Sequence, residues 1–157
     1  MSFIPKVLII AGSDSGGGAG IQADIKTTSY FNGYAMTAIT AITAQNTVGV
    51  QSIYPLPKEI VMEQINSITT DLSPDIVKIG MLADLDIIEY ISKKISNYKI
   101  VLDPVMVATS GDVLVSDEIV TSIKNNIINK SFLITPNLYE AEILSENKIT
   151  SLEDQIE

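Results

Sequence analysis

Five short apolar runs, Val7–Ala11, Met36–Thr43, Ile76–Ile79, Ile100–Leu102 and Phe132–Ile134, alternate along the chain with segments whose apolar residues recur at helical spacing. Those stripes are Val61, Ile65, Ile68 and Leu72; then Ile87, Ile88, Ile91 and Ile95; then Ile119, Val120, Ile123 and Ile127. Strand-like runs separated by amphipathic helices predict a mostly parallel sheet with helices on both faces, a three-layer α/β/α arrangement. Pro57 and Pro136 fall where first-turn prolines favour helix starts, and Gly33 suits the end of the first helix. At 157 residues with 46% apolar content, the chain is long enough to fill the core of one such domain.

Composition narrows the chemistry. There are no cysteines and no histidines, which removes disulfides, thiolate nucleophiles, the commonest general base and the commonest zinc ligand. Acid–base or metal chemistry here must use carboxylates, and these favour hard cations such as Mg²⁺. A net charge of −9 with only ten basic residues argues against a nucleic-acid surface and for a small-molecule partner. The longest apolar run is far below the roughly 18 residues of a membrane span, and the start MSFIPK lacks a signal peptide's apolar region. No membrane partner and a cytoplasmic location are therefore expected.

Two stretches depart from the alternation. Gln45–Leu56, QNTVGVQSIYPL, is too long for a plain turn and reads as a strand-like excursion bent at Gly49. Insertions between strand and helix often cover a site, so this one is a candidate flap. After a helix over Asn137 to about Glu146, the chain ends in a charged tail with no closing strand, an ending that looks cut rather than finished.

The stretch AGSDSGGGAGIQADIKT, Ala11–Thr27, concentrates five of the nine glycines between Gly12 and Gly20. It fails as a Walker A loop, because Gly12 and Gly17 are followed by Gly18 and Ala19 rather than Lys and Ser/Thr. Gly18–Ala23 formally matches a dinucleotide fingerprint, but the next strand ends without the acidic residue that would hold a ribose. A plain flexible turn and a ligand-binding loop both remain open. Gly12, Asp24, Gln45, Gly80-Met81 and Asp103-Pro104-Val105-Met106 all follow strands or the glycine loop, so a parallel sheet brings them to one rim. Gln45 can both donate to and accept from a heteroaromatic edge, while Met81 and Met106 could form a slot for a flat ring or simply fill core. Asp103, directly after a buried run, suits a carboxylate holding a cation near a phosphate, although Asp-Pro also starts turns. Asn137 and Glu140 share a helix face, where Glu140 could bind Mg²⁺ or the pair could form a capping box. Lys78 interrupts a buried run, and it could snorkel, pair with a carboxylate or touch a phosphate.

Taken in order, AGSDSGGGAGIQADIKT, ITAITAQNTVGVQSI, VKIGML, VLDPVMVATSGDVLV and LITPNLYEAE resemble the hydroxymethylpyrimidine and phosphomethylpyrimidine kinases of thiamine biosynthesis, in the ribokinase-like superfamily. The resemblance implies an enzyme that uses ATP and Mg²⁺ to phosphorylate 4-amino-5-hydroxymethyl-2-methylpyrimidine and then its monophosphate. It places substrate contacts on Gly12, Asp24, Gln45, Met81 and Val107, a nucleotide contact on Asn137, and metal ligation on Asp103 and Glu140. Kinases of this resemblance commonly form homodimers. They are also longer, and the segment absent here carries the glycine-rich anion hole and the catalytic residue. The resemblance thus implies that residues 1–157 are one incomplete kinase domain holding the substrate side and no catalytic residue. A pyridoxal-type vitamin kinase and a non-catalytic ligand-binding remnant are the competing readings.

Overall fold

The computed structural model describes residues 3–106 and 114–156. Six strands form one sheet in the order β3-β2-β1-β4-β5-β6. The strands are β1 (Lys6–Asp14), β2 (Tyr34–Asn46), β3 (Gly49–Pro55), β4 (Ile76–Ile79), β5 (Lys99–Leu102) and β6 (Leu133–Ile134). Helices α1 (Gly20–Tyr30), α2 (Lys58–Asp71), α3 (Leu85–Lys94), α4 (Asp117–Asn126) and α5 (Leu138–Ser145) alternate with them. All strand pairs are parallel except β2 with β3.

The period of two in β1 explains why its run is apolar throughout. Leu8 and Ile10 pack into a core with Val61 and Ile65 of α2, Ile88 and Ile91 of α3, and Ile119 and Ile123 of α4. Ile9 and Ala11 point the other way, against Ile21 of α1. Each strand residue therefore has a helix to cover it, so no position in the middle of β1 is free to be polar. The expected helices on both faces are present, and the three stripes read from sequence supply the core of one face.

Three details differ from the sequence reading. The excursion after Gln45 is a sixth strand, β3, paired antiparallel with β2 from Ala41↔Pro55 to Asn46↔Gly49. It adds an edge to the five strands counted from apolar runs, because a two-residue turn at Thr47 and Val48 returns the chain directly beside β2. Pro57 is the N-cap of α2, whereas Pro136 immediately precedes Asn137, the N-cap of α5. The run Phe132–Ile134 is exposed, since β6 is an edge strand. Lys99 Nζ lies over the Phe132 ring, 5.3 Å from its centroid.

The direction of chain travel places the site. From β1 the chain moves through α1 to β2 on one side, and then α2 carries it across to β4 on the other. Strand order therefore reverses beside β1, and the region outside the carboxyl ends of β1 and β4 is of the kind where open α/β sheets bind ligands. No helix among the described residues is long and apolar enough to cross a membrane.

Candidate functional site

A cavity of about 330 Å³ opens as a crevice at these strand ends. Gly12, Asp24, Gln45, Met81, Asp103, Asn137 and Glu140 all line it, although they come from five separate stretches of sequence. The eighth candidate, Val107, lies outside the described residues.

The glycine loop forms one wall, and a residue that sequence reasoning passed over organises it. Asp14, at the end of β1, is buried; its Oδ1 accepts from the Gly16 N–H at 2.7 Å, and its Oδ2 accepts from Gly18 and Ala19 N–H at 2.9 and 2.8 Å. One carboxylate thus gathers three backbone donors into a closed loop, the Asx-turn chemistry extended over five residues. The signal in the sequence was Asp-Ser-Gly directly after a buried strand. Gln22 braces the same strand end from α1, accepting from Asp14 N–H at 2.8 Å and donating to Ser13 Oγ at 2.7 Å. Gly20 adopts φ +53°, and a Cβ there would lie 2.4 Å from the Gly12 carbonyl oxygen. Only glycine allows helix α1 to start so close to β1.

Gly12 and Met81 face each other: a Cβ on Gly12 would sit 3.0 Å from Met81 Cε. The two methionines of the expected slot part here, because Met81 lines the cavity while Met106, 1% exposed, fills core. Thr40, buried beneath this wall, donates from Oγ1 to the Met81 carbonyl at 2.9 Å and so fixes the backbone that carries the thioether. Gln45 is tied to the glycine loop through its backbone, with its N–H donating to Ser15 Oγ at 2.8 Å and its carbonyl accepting from that hydroxyl at 2.8 Å. Thr43 Oγ1 donates to the Ser13 carbonyl at 2.8 Å and lies 3.2 Å from the Gln45 side-chain oxygen, and the Gln45 amide at the cavity can donate to or accept from a ligand.

The acidic side is arranged around Lys78. Its Nζ lies 2.9 Å from Asp24 Oδ2 and 3.3 Å from Asp103 Oδ2, so the lysine that interrupts β4 pairs with carboxylates from both sides of the crevice. Glu140 is 2% exposed; its Oε1 accepts from Met106 N–H at 3.2 Å and its Oε2 from Asn137 N–H at 2.9 Å. Asn137 Oδ1 in turn accepts from Glu140 N–H at 3.0 Å, completing a capping box. The cap holds Glu140 at the cavity, so capping and lining are one arrangement rather than alternatives. No group of three or more acidic side chains converges as a ready-made metal cage among the described residues. The donor set nevertheless fits Mg²⁺, which typically takes one or two carboxylates together with ligand phosphates and water. Asp103 already holds an ammonium cation, a stand-in for such an ion.

Comparisons with known proteins identify the family of the chain. The model of the phosphomethylpyrimidine kinase family matches residues 14–157. The hydroxymethylpyrimidine/phosphomethylpyrimidine kinase of Bacillus subtilis is 50% identical over 97% of this chain and 57% of its own length. The Escherichia coli kinase of the same name is 47% identical over 88% of this chain and 53% of its own. This chain spans little more than half the length of these relatives. Among solved structures, a phosphomethylpyrimidine kinase from Clostridium difficile superposes with TM-score 0.87 at 43% identity, covering 98% of this chain and 67% of that one. A pyridoxal kinase from Staphylococcus aureus, solved with AMP-PCP, reaches the same TM-score of 0.87 at 34% identity, covering 99% of this chain and 57% of its own. The architecture is ribokinase-like, and the family match extends from the loop carboxylate Asp14 through the capped helix that carries Glu140. On that match the chain belongs to the phosphomethylpyrimidine kinase family, a family of phosphotransferases in thiamine biosynthesis.

Proposed function

We propose that this chain carries the substrate side of an ATP-dependent kinase acting on 4-amino-5-hydroxymethyl-2-methylpyrimidine and on its monophosphate. The observation that supports the reading is the convergence of Gly12, Gln45 and Met81 on a single cavity that also holds Asp24 and Asp103, joined by Lys78. In this reading the pyrimidine lies against the bare backbone of Gly12 and the Met81 thioether. The Gln45 amide donates to a ring nitrogen, and Asp24 accepts from a polar hydrogen of the ligand. Asn137, at the start of α5, belongs to the nucleotide side, where exposed helix N–H groups favour phosphate.

Phosphoryl transfer forms a bond from the hydroxymethyl oxygen to the γ-phosphorus, breaks the bond to ADP and releases the hydroxyl proton. Bound Mg²⁺ would offset negative charge on the phosphates. Asp103 is the carboxylate available to hold it directly. Glu140, whose oxygens each accept one backbone N–H, would support it from the capped end of α5. The group that takes the proton and the anion hole belong, in this reading, to the length of the relatives that this chain does not span. The proposal includes residues 1–157 as one incomplete kinase domain, Val107 as a further substrate contact, a homodimer, and a cytoplasmic setting without nucleic-acid or membrane partners.

Two measurements test it. Calorimetric titration with the hydroxymethylpyrimidine is expected to show binding that Gln45→Ala weakens about tenfold, near 1.4 kcal/mol. Absence of pyrimidine binding would sink the reading. The pyridoxal kinase structures, which superpose as well as the C. difficile enzyme, favour pyridoxal as the second candidate. Equal affinity for pyridoxal, unmoved by Gln45→Ala, would select it. In a steady-state assay the 157-residue chain is expected to turn over far below the roughly 1–100 s⁻¹ typical of kinases. A rate within that range would place the transfer machinery inside these residues.

A further inference from the structure

Lys78 is the only basic residue lining the cavity among the described residues, and nothing in the proposed chemistry uses it. It projects from β4 on the half-buried face opposite Val77 and Ile79, and its side chain keeps 19% exposure at the crevice. Room for its ammonium group is built in. Gly80 has no Cβ, and one placed there would lie 3.2 Å from Lys78 Nζ and 2.9 Å from Ala11 Cβ. The carboxylates on either side are unequal partners, with Asp24 at 2.9 Å and Asp103 at 3.3 Å, and Asp103 is the more exposed, at 37% against 22%.

We infer that Lys78 is a positioning residue that occupies the cation position at Asp103 while the metal is absent and withdraws onto Asp24 when a divalent cation arrives. The inference rests on the reading of Asp103 as the cation-holding carboxylate. Lys78 Nζ occupies Asp103 Oδ2, so a metal ion on the same carboxylate would lie close enough to the ammonium for their repulsion to favour its withdrawal. Asp24, nearer and less exposed, keeps it. The lysine thereby keeps two carboxylates from facing each other unpaired across the crevice, and it sets the cation affinity below what Asp103 alone would give.

The test is binding of Mn²⁺ alone, followed by loss of the free-ion electron paramagnetic resonance signal. Lys78→Met is expected to tighten Mn²⁺ binding roughly tenfold, a direction that damage to the fold would not produce. Lys78→Arg, which keeps the charge, is expected to stay within about twofold of the parent, and adding Asp103→Asn to Lys78→Met should abolish the gain. Mn²⁺ affinity unchanged or weakened in Lys78→Met, a gain that survives Asp103→Asn, or no uptake by either protein would overturn the inference. Because pyrimidine is not in this experiment, failure of the substrate reading registers in the titrations instead and leaves the Mn²⁺ result standing.

Discussion

Gly20→Ala is expected to lower the melting temperature by roughly 6–12 °C, the counterpart of about 3 kcal/mol in a chain of this size. Two costs combine. An L-residue held in the left-handed region loses about 1–2 kcal/mol, and Gly20 sits at φ +53°. The added methyl would also meet the Gly12 carbonyl oxygen at 2.4 Å, a main-chain atom that cannot rotate away. Relief requires α1 to move off β1, and that movement shifts the cavity wall that carries Asp24. Pyrimidine binding should therefore weaken along with stability. Gly18→Ala supplies the comparison, because its Cβ would find Asp14 Oδ2 at 3.9 Å, an ordinary contact at a φ outside the left-handed region. That variant is expected to stay within about 1 kcal/mol of the parent. A Gly20→Ala protein melting within a degree or two of Gly18→Ala would refute the close-approach argument.

Asp14→Ala should be at least as damaging, by about 3–5 kcal/mol. The three N–H groups of Gly16, Gly18 and Ala19 lose a charged acceptor at once. Hydrogen bonds to charged groups are worth about 1.5–3 kcal/mol each, reduced here because loop amides that open can bond to water. Asp14→Asn separates the contributions. Its single carbonyl oxygen can keep either the Gly16 bond or the Gly18 and Ala19 pair, so its stability should fall between the parent and Asp14→Ala. Amide hydrogen exchange reads the same event locally, with protection at Gly16, Gly18 and Ala19 lost while the amides of β1 and β4 remain slow. Unchanged exchange at those three amides in Asp14→Ala would mean that the loop is held by its flanking elements and not by the carboxylate.

These two positions mark where sequence reasoning succeeded and where it stopped. The glycine stretch was legible as a wide strand-to-helix turn because a Walker lysine and a ribose carboxylate were both absent. Asp14 was not singled out, because an aspartate before glycines is common turn chemistry. Nothing linear states that one carboxylate closes the whole loop. Met81 and Met106 each follow a strand, two and four residues past its end, yet only Met81 lines the cavity, while Met106 is 1% exposed and packed inside. Lys78 was visible as an anomaly in a buried run, but its partners lie 54 and 25 residues away in sequence.

The sequence by itself determined the layer order and the parallel sheet, because apolar periodicity records which faces are buried, and burial dominates the folding free energy. It also brought the candidate residues to one rim, since every parallel strand delivers its carboxyl end to the same side. Only the tertiary structure decided the antiparallel edge strand β3, the closure of the glycine loop on Asp14, and the sharing of Lys78 between Asp24 and Asp103. Each of these depends on hydrogen bonds or ion pairs that act over about 3 Å. Such contacts form between groups from separate elements, so they are set by how those elements pack and leave no period in the chain.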